Sequence, residues 1–260
     1  MTYCLAIAVK SGLVFTSDSR TNAGVDHVST YSKMHTFGRE GDRQFVLLSA
    51  GNLATTQGVV ARMQRDIREG VEHSLFTVRD MSEAADYVGI VSRAQQAKVT
   101  GGGTSFEASF ILGGQIAGEP PAILHIYPEG NHIWATDETP YLQIGESKYG
   151  KPILDRILAP NIGLDQAVLC ALVSMDSTMR SNLTVGPPID LMMYRSGSLQ
   201  PGQHLRLAHD SDYLRDLKRS WEEGLMEAFN RLPPINWSAA RDAGGRRPVA
   251  AADAGVSRRR

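Results

Sequence analysis

The threonine that follows the start methionine is the residue of this chain best placed to do chemistry. Aminopeptidases remove an initiator methionine when the next residue is small, as Thr2 is. Removal of Met1 would leave one residue that carries both a hydroxyl and a free α-amine. Such a residue supplies a nucleophile and its general base together, which is the N-terminal threonine form of serine-type catalysis. While Met1 is attached, Thr2 has no free amine and the predicted site is blocked.

The elements that position this threonine are predicted to be the two strands of a hairpin. Residues 2–9 are apolar and rich in β-forming types, residues 10–12 form a turn, and residues 13–17 form a second strand. Adjacent strands lie about 5 Å apart, so the hairpin brings Thr2 close to Asp18. Asp18 begins the polar segment Asp-Ser-Arg. Lys33 follows thirteen residues after Arg20 and is the other charged residue that we consider together with Thr2 and Asp18.

Hydrophobic periodicity predicts the remaining elements and the fold class. Further strands are expected at 33–37, 44–50, 106–116, 122–127, 132–136, 141–145 and 189–195. Helices are expected at 52–72, from an N-cap at Ser82, at 150–158, at 164–175 and at 210–231. Strands and helix pairs in this order predict an α+β protein, a four-layer α-β-β-α sandwich in which two sheets bury one face on each other.

Composition excludes several classes of function. Lys and Arg total 27 and Asp and Glu total 28, so the net charge of −1 gives no general attraction to nucleic acid or to an anionic membrane. The seven histidines show no metal-ligand spacing, and we expect neither a metal nor an organic cofactor. Cys4 and Cys170 lie far apart in apolar stretches; the sequence allows a disulfide between them, but buried free thiols in a reduced compartment are the prediction. With no signal peptide in view, a cytoplasmic protein is expected.

The first fifty residues taken together resemble a known family. Thr2, the segment 17–24 (SDSRTNAG), Lys33 and the segment 49–51 (SAG) are similar to proteasome-type β subunits of the N-terminal nucleophile hydrolases. More narrowly, they resemble the bacterial proteasome-like Anbu group, and the resemblance covers about residues 2–230. It implies a threonine-type peptidase with the same four-layer sandwich, acting through an acyl-threonine intermediate.

The resemblance also implies roles for the residues around Thr2. Asp18 and Lys33 would form an ion pair beside the nucleophile, and Gly51 would supply the backbone N–H of an oxyanion hole. The positive charge of Lys33 would favour the neutral amine, whose reference pKa of about 7.7–8.0 suits a general base. A backbone donor at Gly51 would stabilise the tetrahedral oxyanion.

Later segments match the family less closely. Residues 176–182 are similar to a segment of the bacterial ring protease HslV, which would place Asp176 and Ser181 near the threonine amine, although both also fit helix-end roles. Where relatives have Gly-Ser-Gly, this chain has Gly145-Glu146-Ser147. Either Ser147 takes the role of the serine, or Glu146 puts a carboxylate there.

Two residues of the segment after Asp18 complete the predicted site. Arg20 is expected to hold the turn rather than to take part in the reaction. Asn22 and the residues after Gly51 are expected to form the walls of the substrate pocket by resemblance.

The family further implies a large homo-oligomer, a ring or an open ring-like helix, that admits peptides or unfolded chains. It leaves open whether an unfolding ATPase or another product of the same operon feeds it, and no nucleic acid or membrane partner is expected. We expect a hydrolase domain over residues 1–235, including the helix 210–231, and a disordered basic tail over 236–260. Two other functions remain open: a small-molecule amidase with the same nucleophile, and a catalytically silent structural subunit.

Overall fold

The computed structural model of the protein describes residues 1–22, 28–98, 106–159 and 161–237. Within these ranges the chain forms twelve strands and five helices. The strands are β1 (Tyr3–Val9), β2 (Gly12–Asp18), β3 (Arg20–Asn22), β4 (Val28–Thr30), β5 (Met34–Arg39), β6 (Arg43–Gly51), β7 (Ala108–Ile116), β8 (Ala122–Ile126), β9 (His132–Trp134), β10 (Tyr141–Gly145), β11 (Ile189–Arg195) and β12 (Gln203–Leu207). The helices are α1 (Leu53–Glu69), α2 (Met81–Gln96), α3 (Lys151–Ile157), α4 (Leu164–Ser181) and α5 (Asp212–Asn230).

The strands form two five-stranded antiparallel sheets and one short ribbon. The first sheet has the order β10-β1-β2-β11-β12, and the second has the order β5-β6-β7-β8-β9. Strands β3 and β4 pair separately. The predicted β1–β2 hairpin belongs to the first sheet, and the antiparallel pair β5–β6 belongs to the second.

Three groups of buried side chains show how the layers stack. One group packs α1 and α2 against the second sheet and contains Val59, Val88 and Phe110. Another group packs α3 and α4 against the first sheet, and the third, which includes Phe15 and Ile111, lies between the two sheets. Apolar contact on both faces of each sheet gives four layers. The predicted α-β-β-α sandwich is therefore confirmed.

The β1–β2 hairpin places the N-terminus beside the end of β2. Cys4 lies opposite Ser17 in the antiparallel register, so the chain immediately before Cys4 meets the chain immediately after Ser17. The backbone N–H of Tyr3 donates to Asp18 Oδ1 at 3.0 Å. Cys4 and Cys170 are both buried, with free thiols. The hairpin thus brings Thr2 next to Asp18, as the sequence predicts.

The prediction that Ser82 caps the second helix is wrong. The N-cap of α2 is Asp80, whose Oδ1 accepts a hydrogen bond from the N–H of Glu83 at 2.8 Å. Ser82 lies inside the first turn, and its hydroxyl bonds to His132 Nε2 at 3.2 Å. Aspartate and serine are about equally good N-caps, so two candidates two residues apart cannot be separated by type alone.

Helix α4 continues six residues beyond the predicted end at 175. Thr178 is buried and extends the buried helical face of Ala171 and Met175, and its hydroxyl donates to the carbonyl of Ser174 at 2.9 Å. A threonine satisfied in this way looks polar in the sequence but packs as part of the core. Strands β3, β4 and β12 were also not predicted, because they are short or polar: β12 is exposed along most of its length at the edge of its sheet.

The chain divides into two compact units, Met1–Arg219 and Ser220–Arg260, so the boundary falls within α5. The predicted tail lies outside the described residues from 238 onward, as does the glycine-rich segment 100–104. Among the helices that the structure describes, none has the length and apolar character needed to cross a bilayer.

Candidate active site

A cleft of about 520 Å³ opens beside the N-terminus. Thr2, Lys33 and Gly51 all line it, and Arg20 and Gly145 form part of its wall. The first turns of α1 also contribute lining residues, Leu53, Thr56 and Gln57. Residues from four separate stretches of the sequence therefore meet around Thr2.

Asp18 lies beneath this cleft and is completely buried. Its Oδ1 accepts two hydrogen bonds, from Lys33 Nζ at 2.7 Å and from the N–H of Tyr3 at 3.0 Å. Its Oδ2 accepts a third from the N–H of Gly186 at 3.3 Å. Burial raises the pKa of Asp18, while the Lys33 ammonium and the two N–H donors oppose that rise. One carboxylate oxygen thus holds both the lysine and the residue that follows Thr2.

The Lys33 ammonium is fixed by two acceptors. Besides Asp18, it donates to the backbone carbonyl of Arg20 at 2.7 Å. The guanidinium of Arg20 turns to the other side and donates to the carbonyl of Leu183 at 2.6 Å. Arg20 therefore contributes a backbone acceptor to the lysine and ties the segment after β2 to the segment after α4. This arrangement fits the structural role expected for Arg20.

The α-amine in this structure is that of Met1, which lines the cleft. Burial lowers the pKa of this amine below the ordinary value, and the charge of Lys33 lowers it further. The carboxylates of Asp18 and Glu146 act in the opposite direction. The amino terminus therefore lies beside one cation and two anions, and burial, the largest effect, together with Lys33 outweighs the two carboxylates and favours the neutral amine.

Gly145 is required where β10 meets the N-terminus. Its φ is +83°, and a Cβ built there would lie 2.1 Å from the backbone oxygen of Thr2. The same Thr2 oxygen accepts a hydrogen bond from the N–H of Glu146 at 2.6 Å. A side chain at position 145 would push Thr2 away, so glycine permits the close approach that fixes the nucleophile's backbone.

Glu146 lies close enough to the amino terminus for its carboxylate to raise the pKa of the amine, and a role for Ser147 stays a prediction. Glu146 is buried, and its carboxylate accepts hydrogen bonds from the N–H of Lys148 at 3.1 Å and from Asn182 Nδ2 at 3.1 Å. Ser147 is exposed. Asn182 was not predicted as a site residue, and its position directly after the predicted Ser181 is the only hint that the sequence offers.

Asp176 and Ser181 both lie on α4. Asp176 is half-buried in the last two turns, and Ser181 is the exposed final residue of the helix. The following residue, Asn182, links this helix end to Glu146. The C-terminus of α4 therefore approaches the amine side of the cleft, and direct roles for Asp176 and Ser181 stay predictions.

Gly51 ends β6 at the mouth of the cleft, with φ of +112°. A Cβ at this position would lie 2.3 Å from the carbonyl oxygen of Glu107, so only glycine fits. Its role as oxyanion donor stays a prediction. Asn22 ends β3, and its side chain is outside the described part of the structure. Its neighbour Thr21 lines the cleft.

His35 is a further cleft residue that the sequence did not single out as functional. It lines the cleft from β5, two residues after Lys33, and burial lowers the pKa of its imidazole. Within the described ranges, no group of three or more His, Cys, Asp or Glu side chains has an arrangement that would hold a metal ion.

The family model described as "Proteasome subunit" matches residues 2–192. The chain belongs to the proteasome subunit family. This membership agrees with the sandwich of two antiparallel sheets between helical layers, which is the fold of proteasome-like N-terminal nucleophile hydrolases. A comparison with curated proteins finds no significant match.

Solved structures of Anbu proteins are similar over nearly the whole chain. Anbu, the ancestral β-subunit, from Yersinia bercovieri is 50% identical, with 90% of this chain and 99% of that chain covered and a TM-score of 0.86. Anbu from Pseudomonas aeruginosa, solved as a helical assembly, is 48% identical, with 91% and 99% covered and a TM-score of 0.88. An Anbu variant from Hyphomicrobium sp. strain MC1 is 44% identical, with 91% and 100% covered and a TM-score of 0.86. These similarities confirm the predicted resemblance to Anbu.

Proposed function

We propose that this proteasome-family chain is a threonine peptidase that hydrolyses peptide bonds through Thr2 after Met1 is removed. The observation that carries the proposal is the shared acceptor beneath the cleft. Asp18 Oδ1 binds both Lys33 Nζ and the N–H of Tyr3. A buried carboxylate that fixes a lysine beside the residue after Thr2 has a clear use if Thr2 is the nucleophile, since the cation then stabilises developing alkoxide.

In the proposed first step, the hydroxyl of Thr2 attacks the carbonyl carbon of a peptide bond. The hydroxyl proton passes to the free α-amine of the same residue, which acts as general base. The negative charge on the carbonyl oxygen is stabilised by the N–H of Gly51. The tetrahedral intermediate then collapses, and the departing peptide nitrogen takes the proton from the ammonium.

The second step releases the product. The acyl group is now an ester on Thr2, and the α-amine is neutral again. A water molecule loses a proton to this amine as it attacks the ester carbon, and the Thr2 oxygen takes that proton back when it leaves. In this structure burial and the charge of Lys33 lower the pKa of the Met1 amine. We expect the same direction for the Thr2 amine that replaces it beside Lys33, and a lowered pKa favours the neutral form with which each step begins.

The shape of the surroundings supports an extended peptide rather than a small amide as the substrate. Gly51 lines the cleft on one side and a second open depression of about 490 Å³ on the other. Asn52, Ser109 and Pro128 line that depression. A substrate several residues long fits a surface that continues past the nucleophile, whereas a small amide needs only an enclosed pocket.

We further propose that the chain works within a large homo-oligomer. The Anbu protein from Pseudomonas aeruginosa forms a helical assembly, and it is 48% identical to this chain over 91% of its length. Enclosure within such an assembly would allow only peptides and unfolded chains to reach the active sites.

Substitution of Thr2 tests the proposal, with peptide products followed by mass spectrometry. Wild type and Thr2→Ser should cleave unstructured peptides, while Thr2→Ala should lose activity by more than about 1,000-fold. Thr139→Ala, at an exposed threonine in the loop before β10, is the matched control and should keep full activity. Cleavage by Thr2→Ala would refute the mechanism. Hydrolysis of small amides without hydrolysis of peptides would refute the substrate class, and inactivity of a chain that lacks Met1 would favour a silent subunit.

A further inference from the structure

A further cavity of about 470 Å³, separate from the depression beyond Gly51, lies next to the active-site cleft. It is bounded by the edge strands β5 and β12 of the two sheets and by the adjoining strands, with Met34, Met192 and Tyr194 among its lining residues. Ser32 lines both this cavity and the cleft. The cavity also contains a buried charge, Asp190, for which the proposed reaction has no direct use.

Asp190 is 1% exposed and has four hydrogen-bonding side-chain partners. From β12, Arg206 Nη1 donates to both carboxylate oxygens, at 3.0 and 3.1 Å, and His204 Nε2 lies 3.2 Å from Oδ1. On the other side, Oδ2 accepts from Ser19 Oγ at 3.2 Å and from Ser32 Oγ at 3.4 Å. One side of this carboxylate is therefore anchored to the sheet edge, and the other side binds two serines.

These two serines are the chain neighbours of the catalytic ion pair. Ser19 directly follows Asp18, and Ser32 directly precedes Lys33. The single hydroxyl proton of Ser32 is shared between Asp190 and the carbonyl of Met34, which lies at 3.0 Å, and the Ser32 oxygen accepts from the N–H of Met34 at 3.4 Å. Ser32 therefore holds the backbone on both sides of Lys33. The two segments belong to different elements, the end of β2 and the chain before β5, and they converge on Asp190.

We propose that Asp190 is a positioning residue for the reaction, because it fixes the two segments that carry Asp18 and Lys33. The inference rests on the proposed function of Thr2. Lys33 Nζ reaches both of its acceptors at 2.7 Å, and a shift of either segment would lengthen these contacts. A displacement of about 1 Å in a catalytic group costs up to about 100-fold in rate.

An ionised carboxylate suits this task better than a neutral amide. Asp190 accepts from donors on both sides. An asparagine has only one carbonyl oxygen, so its NH₂ group would face either Arg206 and His204 or the two serines. The charge of Asp190 also reaches the cleft, since it opposes the effect of burial on the pKa of His35. Arg206 offsets the cost of burying this charge.

The test compares Asp190→Asn and the double variant Ser19→Ala/Ser32→Ala with wild type. The double variant leaves Asp190 bonded to β12 and keeps the test valid if Asp190→Asn does not fold. Asp66→Asn is the matched control. Asp66 is also buried, at 3% exposed, and is held by Arg62 and Tyr87 in the layer of helices α1 and α2.

Two readouts separate positioning from general stability. The first is kcat and KM for peptide cleavage: both test variants should lose about 10- to 100-fold in kcat, with KM changed less than about twofold. The second is the pKa of the α-amine, measured from the pH dependence of its acylation by acetic anhydride. The charges that face the amino terminus, which is the Met1 amine in this structure, are Lys33 before β5, Asp18 at the end of β2 and Glu146 after β10. If Lys33 moves away, the amine pKa should rise.

Asp66→Asn should lower the melting temperature and change neither readout. Unchanged kcat and unchanged amine pKa in a folded Ser19→Ala/Ser32→Ala variant would overturn the role of Asp190. If wild type cleaves no peptide, the proposed function fails, whereas the amine pKa still decides whether Asp190 holds Lys33 in place.

Discussion

Three charged side chains set the electrostatics around the amino terminus. Lys33 favours the neutral amine, while Asp18 and Glu146 favour its protonated form. Glu146 stands where the resemblance leads one to expect a serine, and its carboxylate is held by Asn182. The carboxylate at this position therefore raises the pKa of the amine relative to a neutral residue there, and acts against burial.

The pH dependence of peptide cleavage should report this balance. Because the neutral amine is the proposed base, kcat/KM should rise with pH through a midpoint below about 8, the ordinary value for an α-amine. Glu146→Gln removes a negative charge that stabilises the ammonium, so its midpoint should move to lower pH. Glu138→Gln, at an exposed glutamate in the loop before β10, is the control and should leave the midpoint in place. A midpoint that rises in Glu146→Gln would contradict this account.

Removal of Lys33 should cost stability as well as activity. Lys33→Met leaves the Asp18 carboxylate buried without its cation, a situation that costs about 3–5 kcal/mol. The double variant Asp18→Asn/Lys33→Met removes both charges and should recover part of this loss while staying inactive. Urea unfolding of the two variants measures the difference. A double variant less stable than Lys33→Met would show that the charge of Asp18 is not the source of the cost.

At the scale of elements, the contact between β10 and the N-terminus is the most sensitive to a small change. Gly145→Ala introduces a methyl group 2.1 Å from the Thr2 oxygen and also strains a residue with φ of +83°. Gly118→Ala is the matched control, since Gly118 has φ of +87° and open space around it.

In Gly118→Ala the free energy of unfolding should fall only by the cost of a positive φ for alanine, about 1–2 kcal/mol. Gly145→Ala should lose more than this in urea unfolding and should also impair peptide cleavage, because Thr2 must move. Equal losses of stability in the two variants, with activity retained in Gly145→Ala, would show that the close approach does not matter.

Local patterns predicted most of these elements, because each hairpin and amphipathic helix depends on residues close together in the sequence. The β1–β2 hairpin was predictable in this way, and with it the proximity of Thr2 and Asp18. The pairing of β2 with β11 was not, since Ser17 and Asp190 meet across most of the chain. For the same reason nothing in the sequence marked Asp190, and Asn182 was marked only by its place at the end of the segment 176–182: each is a single polar residue with partners in distant segments.

At the scale of the whole molecule, helix α5 has exposed apolar side chains. Phe229 is 67% exposed, and Leu225 and Met226 are also exposed. Beyond the helix, Ile235 and Trp237 are exposed as well. Exposed apolar groups at this density on one segment are typical of a surface that is covered in an assembly.

Charged substitutions on this segment should therefore reduce the size of the assembly. Leu225→Glu/Phe229→Glu places carboxylates on the apolar surface, and we expect smaller species by analytical ultracentrifugation. Lys218→Ala/Arg231→Ala changes the net charge equally, at exposed polar positions, and should keep the wild-type size distribution. Assembly that is unaffected by the glutamates would place the subunit contacts elsewhere.

The central claim is that Thr2, freed of Met1, is the nucleophile. Its most direct test is mass spectrometry of the protein from its own host after reaction with a peptide that ends in a boronic acid or another electrophile. The account predicts a chain that lacks Met1 and carries one adduct, located on Thr2 by peptide mapping. A chain that retains Met1, or an adduct on any other residue, would contradict it.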